Sequence, residues 1–103
     1  MLSREEIETA FMQANKINLL FIKSNDLKKG DLIKMKGTDW YGQIIDNGRG
    51  NIRYANIHGF CSEMGSIYAW DIWTVCKDAK FYYVELTDKQ QSDQKKCADL
   101  GFC

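Results

Sequence analysis

Along this chain the spacing of apolar residues changes once, near residue 30. Before it, Ile7, Ala10, Phe11 and Ala14 fall at i, i+3, i+4 and i+7, one stripe of a helix. "SREE" at 3–6 precedes that stripe and has capping-box form, with Ser3 and Glu6 placed to satisfy each other's backbone amides. The pattern predicts a helix over residues 4–15. "KINLLFIKSN" fits a continuation of that helix or a strand, and the reading adopted is helix to about residue 23. "SNDLKKGD" breaks it.

After residue 30 the runs shorten and alternate, the signature of strands. "DLIKMK", "WYGQIID" and "NIRYANI" read as three strands, joined by turns at "GTD" and "NGRG". Gly37, Gly48 and Gly50 supply the turn positions. "HGFCSEMG" reads as a longer loop, "SIYAWDIWTVC" as one long strand and "KFYYVEL" as a fifth, after a "KDA" turn. Five short strands with even turn spacing predict a meander that closes as a small barrel. The chain contains no proline, so nothing interrupts strand pairing. Thr87 and Gln90 form a second capping signature, and Gly101 a helix stop. The helix between them has few apolar residues and is expected to dock loosely. The predicted organisation is a single domain of mainly β (α+β) class: a helical segment (1–26), a five-stranded barrel (27–86) and a short helical tail (87–103).

Composition narrows the function without naming it. At 103 residues, with 45% hydrophobic and 27% charged residues, the chain reads as one globular domain. Ten of its thirteen aromatics lie between Trp40 and Tyr83, which places the core there. Fourteen basic residues balance fourteen acidic ones, which excludes strong whole-molecule steering toward nucleic acid or anionic membrane. Residues 27–59 carry six basic and three acidic side chains, a small local excess. No run is long and apolar enough for a membrane span, and the acidic start lacks the order of a secretory signal; a cytoplasmic location is the expectation. Cys61, Cys76, Cys97 and Cys103 match no common zinc or redox spacing, so free thiols and no metal or cofactor are expected.

"KKGDLIKMKGTDWYGQIID" resembles the KOW motif and related SH3-like barrels, through Gly30, Asp31, Leu32, Ile33, Gly37, Gly42 and Ile44. The resemblance implies an SH3-like barrel, a fold that often binds RNA, ribosomal or transcription partners, or peptides. Over a longer span, the order of "LKKGDLIKMKGT", "GNIR" and "ELT" resembles small uncharacterised proteins of tailed marine bacteriophages. That resemblance implies an origin, and a phage or host protein as partner, but no activity.

The chain offers residues for four kinds of site. Lys34, Lys36, Trp40, Tyr41, Arg49, Arg53 and Tyr54 interleave cations and rings, the combination used by single-strand binders. Alternation sets Lys34 and Lys36 opposite Ile33 and Met35, and Arg53 opposite Ile52 and Tyr54, so a solvated lysine face over a core is the favoured reading. Trp70 and Trp73 place apolar bulk on both faces of the long strand, which the N-terminal helix or a second subunit would cover. His58 and Cys61 make an HxxC, with Glu63 and Asp71 nearby, yet no spacing demands a nucleophile and base. "NGRG" lacks the lysine and following helix of a phosphate loop. The expectation is a non-enzymatic protein-binding or homo-oligomeric assembly module, with weak nucleic-acid binding by the 34–54 face as the alternative.

Overall fold

The computed structural model describes residues 2–16, 19–48 and 50–101. Helix α1 (Arg4–Gln13) starts at the Ser3–Glu6 capping box and stops at Ala14, whose backbone is extended. It does not continue toward residue 23, though Ile17 and Asn18 lie outside the described residues. The Asn15 amide donates to the Ala79 carbonyl, and "FIK" forms β1 (Phe21–Lys23). Pairing wins over helix here because "LLFI" can bury Ile22 against an existing sheet edge.

The rest of the sheet is β2 (Leu32–Met35), β3 (Tyr41–Asp46), β4 (Ile52–His58), β5 (Ser62–Tyr68), β6 (Ile72–Lys77) and β7 (Lys80–Glu85). The strand order is β1-β7-β6-β2-β3-β4-β5, antiparallel except for β1, which runs parallel to β7. This corrects the expected five-stranded SH3-like barrel: among the described residues there are seven strands in one open mixed sheet. Two local differences from the expected strand layout lie in the second half of the chain. The expected long loop at 58–65 is a tight hairpin that releases a full strand, β5. The expected single strand at 66–76 breaks at a 3-10 turn, Ala69–Asp71, into β5 and β6. Those two then lie on opposite flanks of the sheet, and β1 extends it further from β5.

Each face has its own core. On one, Leu27, Ile33, Met35, Ile44, Ala55, Ile72 and Val75 are buried. On the other, α1 lays Ile7, Phe11 and Ala14 against Leu32, Tyr41, Cys76 and Phe81. Burying Ile7 and Phe11 contributes about 1.5–3 kcal/mol each. α1 thus covers part of the second face, one of the two covers the aromatic pattern asked for.

Helix α2 (Asp88–Asp99) begins at the Thr87–Gln90 capping box. It is not loosely docked. Gln90 is buried; its Oε1 accepts from the Ser24 hydroxyl at 2.5 Å, and its Nε2 donates to Asn25 Oδ1 at 3.1 Å. A polar anchor does here what the sparse apolar stripe cannot.

Candidate functional site

The β4–β5 connection sets up an apolar groove. Gly59 lies flat on the Trp40 indole, so close that a Cβ would fall 2.7 Å from the ring. Only glycine permits that approach. The next residue, Phe60, is 98% exposed and stands edge-on to Trp40, centroids 5.6 Å apart. Trp40, Phe60, Met64, Ile67 and Met35 then line a groove of about 440 Å³, with Lys36, Glu63 and Asp71 at its rim. The groove occupies the seam between β5 and the β2–β3 hairpin.

β5 forms one wall of this seam and ends the sheet. All seven of its residues pair with β4 in unbroken register. Among the described residues nothing pairs with its outer side. The strand has no lysine, proline or bulge, three of the devices that blunt exposed edges, and its one charged side chain is Glu63.

The residues singled out from the sequence are scattered by the fold. Lys34 lies between two rings, its Nζ 5.6 Å from the Tyr41 centroid and 5.3 Å from that of Trp73. Lys36 is exposed and lines grooves on both sides of the sheet. Trp40 belongs to the seam instead. Tyr54 is exposed on β4 beside Ile52, and Arg49 lies outside the described residues. Trp70 is buried in the 3-10 turn, stacked on Tyr68 at 4.5 Å, whereas Trp73 is exposed. So Lys34, Tyr41 and Trp73 come together, while Trp40, Arg53 and Tyr54 do not join them.

Arg53 is 1% exposed, beneath strand neighbours that are themselves partly exposed. Its Nη1 donates to the carbonyls of Gly50 (2.9 Å) and Ile52 (2.8 Å). Its Nη2 donates to the Ser24 carbonyl (3.4 Å) and Asn25 Oδ1 (3.0 Å). Among the described residues no carboxylate pairs with it. Burial lowers its pKa, yet a guanidinium stays charged in a protein. The "NGRG" turn is therefore braced from inside by Arg53. Gly48 (φ +60°) and Gly50 (φ +61°) take left-handed backbone there, and Gly37 (φ +68°) does so in the β2–β3 turn.

His58, Cys61 and Cys76 each have hydrogen-bond partners. His58 is not in a loop but ends β4, buried. Its Nε2 meets the Leu2 carbonyl at 3.1 Å and its Nδ1 the Ser62 hydroxyl at 2.6 Å. Nε2 also lies 3.4 Å from the Asn56 amide nitrogen; a carbonyl only accepts, so the Leu2 contact is a hydrogen bond in the tautomer whose Nε2 carries the proton, in which Ser62 donates to Nδ1. The Cys61 thiol donates to Glu63 Oε1 at 3.0 Å, and that carboxylate raises its pKa. A thiol so held is a poor nucleophile. Among the described residues no three His, Cys, Asp or Glu side chains gather around one point; Cys103 lies outside them. No described helix is long and apolar enough to cross a membrane.

Phe60, Met64 and the start of β5 fall in "HGFCSEMG", whose two glycines and polar residues give it the pattern of a loop. The available signal was nine residues, "FCSEMGSIY", free of proline and lysine. Comparison of the chain with protein-family models, with curated proteins and with solved structures found no match to any of them.

Proposed function

We propose that this chain is a non-enzymatic association module that pairs with a second copy of itself along the outer edge of β5. One observation carries the reading: a seven-residue edge strand without a bulge, flanked by the exposed Phe60 and Met64, beside an apolar seam. Unpaired amides and carbonyls in a row are a template for another strand, and the adjoining groove takes alternate side chains.

A second copy fits because β5 is centred on Gly65, with nothing within 4 Å of where a Cβ would lie. A two-fold axis there sets Met64 against Ser66 of the other copy and Ser62 against Tyr68, antiparallel over the whole strand. Such an interface is isologous and closed, so it yields a dimer and not a fibre.

Light scattering on fractions from about 1 µM to about 1 mM tests this, since a modest interface falls in that affinity range. The expected result is a mass that climbs from monomer to dimer. A monomeric mass throughout would remove the proposal.

A further inference from the structure

The sheet face shared with α1 carries a second surface, which shares only Lys36 with the lining of the β5 groove. α1 covers only one end of it, where Phe11 meets Tyr41 (5.4 Å) and Phe81 (6.1 Å). The ring contacts then run out from under the helix. Phe81 touches Tyr83 (5.3 Å), and Tyr83 touches Trp73 (6.3 Å) and Phe21 (6.1 Å). Strand register explains the row. Phe21, Tyr83, Thr74, Lys34 and Tyr41 are successive cross-strand partners on β1, β7, β6, β2 and β3, so they leave the sheet on one side. Trp73 joins them as the extra residue of the β2–β6 bulge between Lys34 and Met35.

Phe21 is 57% exposed and Trp73 44%, and with Leu19, Lys36 and Tyr83 they border a shallow groove of about 370 Å³. Cations are interleaved with the rings. Lys34 contacts Trp73 and Tyr41, and Lys16 lies over Phe81 at 5.2 Å. Lys23 follows Phe21 on the same side of β1, and Lys36 lines the groove. One acid, Glu85, stands opposite Lys23.

We propose that this face binds single-stranded nucleic acid, with bases stacked on Phe21, Tyr83 and Trp73 and phosphates met by Lys16, Lys23, Lys34 and Lys36. Partly exposed rings in a row across a sheet are platforms on which unpaired bases of any identity can stack. The charge placement favours this over an anionic membrane. Lys34 is held at the centre of the patch between two rings, where insertion into lipid would strip its ammonium of water. A membrane-seeking patch keeps its cations at the rim.

The test is fluorescence anisotropy of a fluorescein-labelled oligothymidylate of about 15 nucleotides, titrated with the full chain at about 50 mM salt. The expected result is saturable micromolar binding whose log–log salt slope is near −3, about 0.7 for each of four lysines. Lys16→Gln/Lys23→Gln/Lys36→Gln changes only exposed side chains and is expected to cut the slope by about 2 and the affinity more than tenfold. Trp73→Leu is expected to lose about tenfold at unchanged slope, as loss of one stacking platform does. Met64→Lys is expected to bind as wild type, which separates this face from the β5 seam. Absence of binding at about 100 µM would overturn the proposal. So would equal binding by the triple variant, or binding to phosphatidylserine vesicles without binding to the oligonucleotide.

Discussion

The two edges of the sheet are built in opposite ways. β1 has three residues, presents Lys23, and passes at once into the 3-10 turn Ser24–Asp26, whose Ser24 is buried against Gln90 of α2. β5 has seven residues in perfect register, no lysine, and apolar bulk at Phe60 and Met64. Short, charged and capped edges resist pairing, and long, regular, apolar ones invite it. The β5 edge, whose one charged side chain is Glu63, is the edge on which the proposed pairing rests.

The blunted end depends on Arg53, so removing it gives the largest expected effect. Arg53→Ala strips donors from the Gly50 and Ser24 carbonyls and from Asn25 Oδ1, all at least partly buried around Gln90. The expected loss is about 3 kcal/mol or more, read from urea unfolding, since each orphaned polar group costs about 1–3 kcal/mol. Loss of less than about 0.5 kcal/mol, the range of a plain surface change, would show that the network does not brace this end.

Gly59→Ala strikes the open end instead. Its Cβ has no room above Trp40, so the hairpin must shift, at an expected cost of about 1–3 kcal/mol. Near-UV circular dichroism is expected to change with it, because the Trp40–Phe60 pair moves.

The smallest effect is in acid. Asp93 has its pKa lowered by the Asn51 side-chain amide first and Lys89 next, and Glu6 by the Ser3 backbone amide and hydroxyl. Carboxylates whose folded pKa is depressed contribute stability above their unfolded pKa and lose it as pH falls through the folded one. Glu6 is exposed and Asp93 partly so, and only a shallow decline is expected below the ordinary carboxylate range, followed by thermal unfolding. Asp93→Asn is expected to flatten part of it.

What the sequence made legible was local. Both capping boxes are in the chain as hydrogen-bonding patterns of adjacent residues, and the Ile7–Phe11 stripe is plain periodicity. The route of the sheet was not legible, because it turns on two non-local outcomes. "LLFI" became a strand only because β7 offered an edge to its parallel approach. "SIYAWDIW" broke because Trp70 could be buried in a 3-10 turn stacked on Tyr68. Arg53 shows the same limit at a single residue. Alternation set it apart from Ile52 and Tyr54, but the polar network that buries it comes from segments 28 to 37 positions away. Trp73 and Lys34 were assigned to different surfaces for the same reason: a bulge, invisible in one strand, brings them together.

The contrast between the edges is tested most directly by transferring one device from β1 to β5. Met64→Lys puts a cation on an exposed strand position, where stability is expected to stay within about 0.5 kcal/mol. Sedimentation velocity on wild type and variant, over the same range of concentration, reads the outcome. Wild type is expected to pass from monomer to dimer, and Met64→Lys to remain monomeric or to need at least tenfold more protein. Two chains that sediment alike at every concentration, both monomeric or both dimeric, would contradict the assignment of the β5 edge as the site of association.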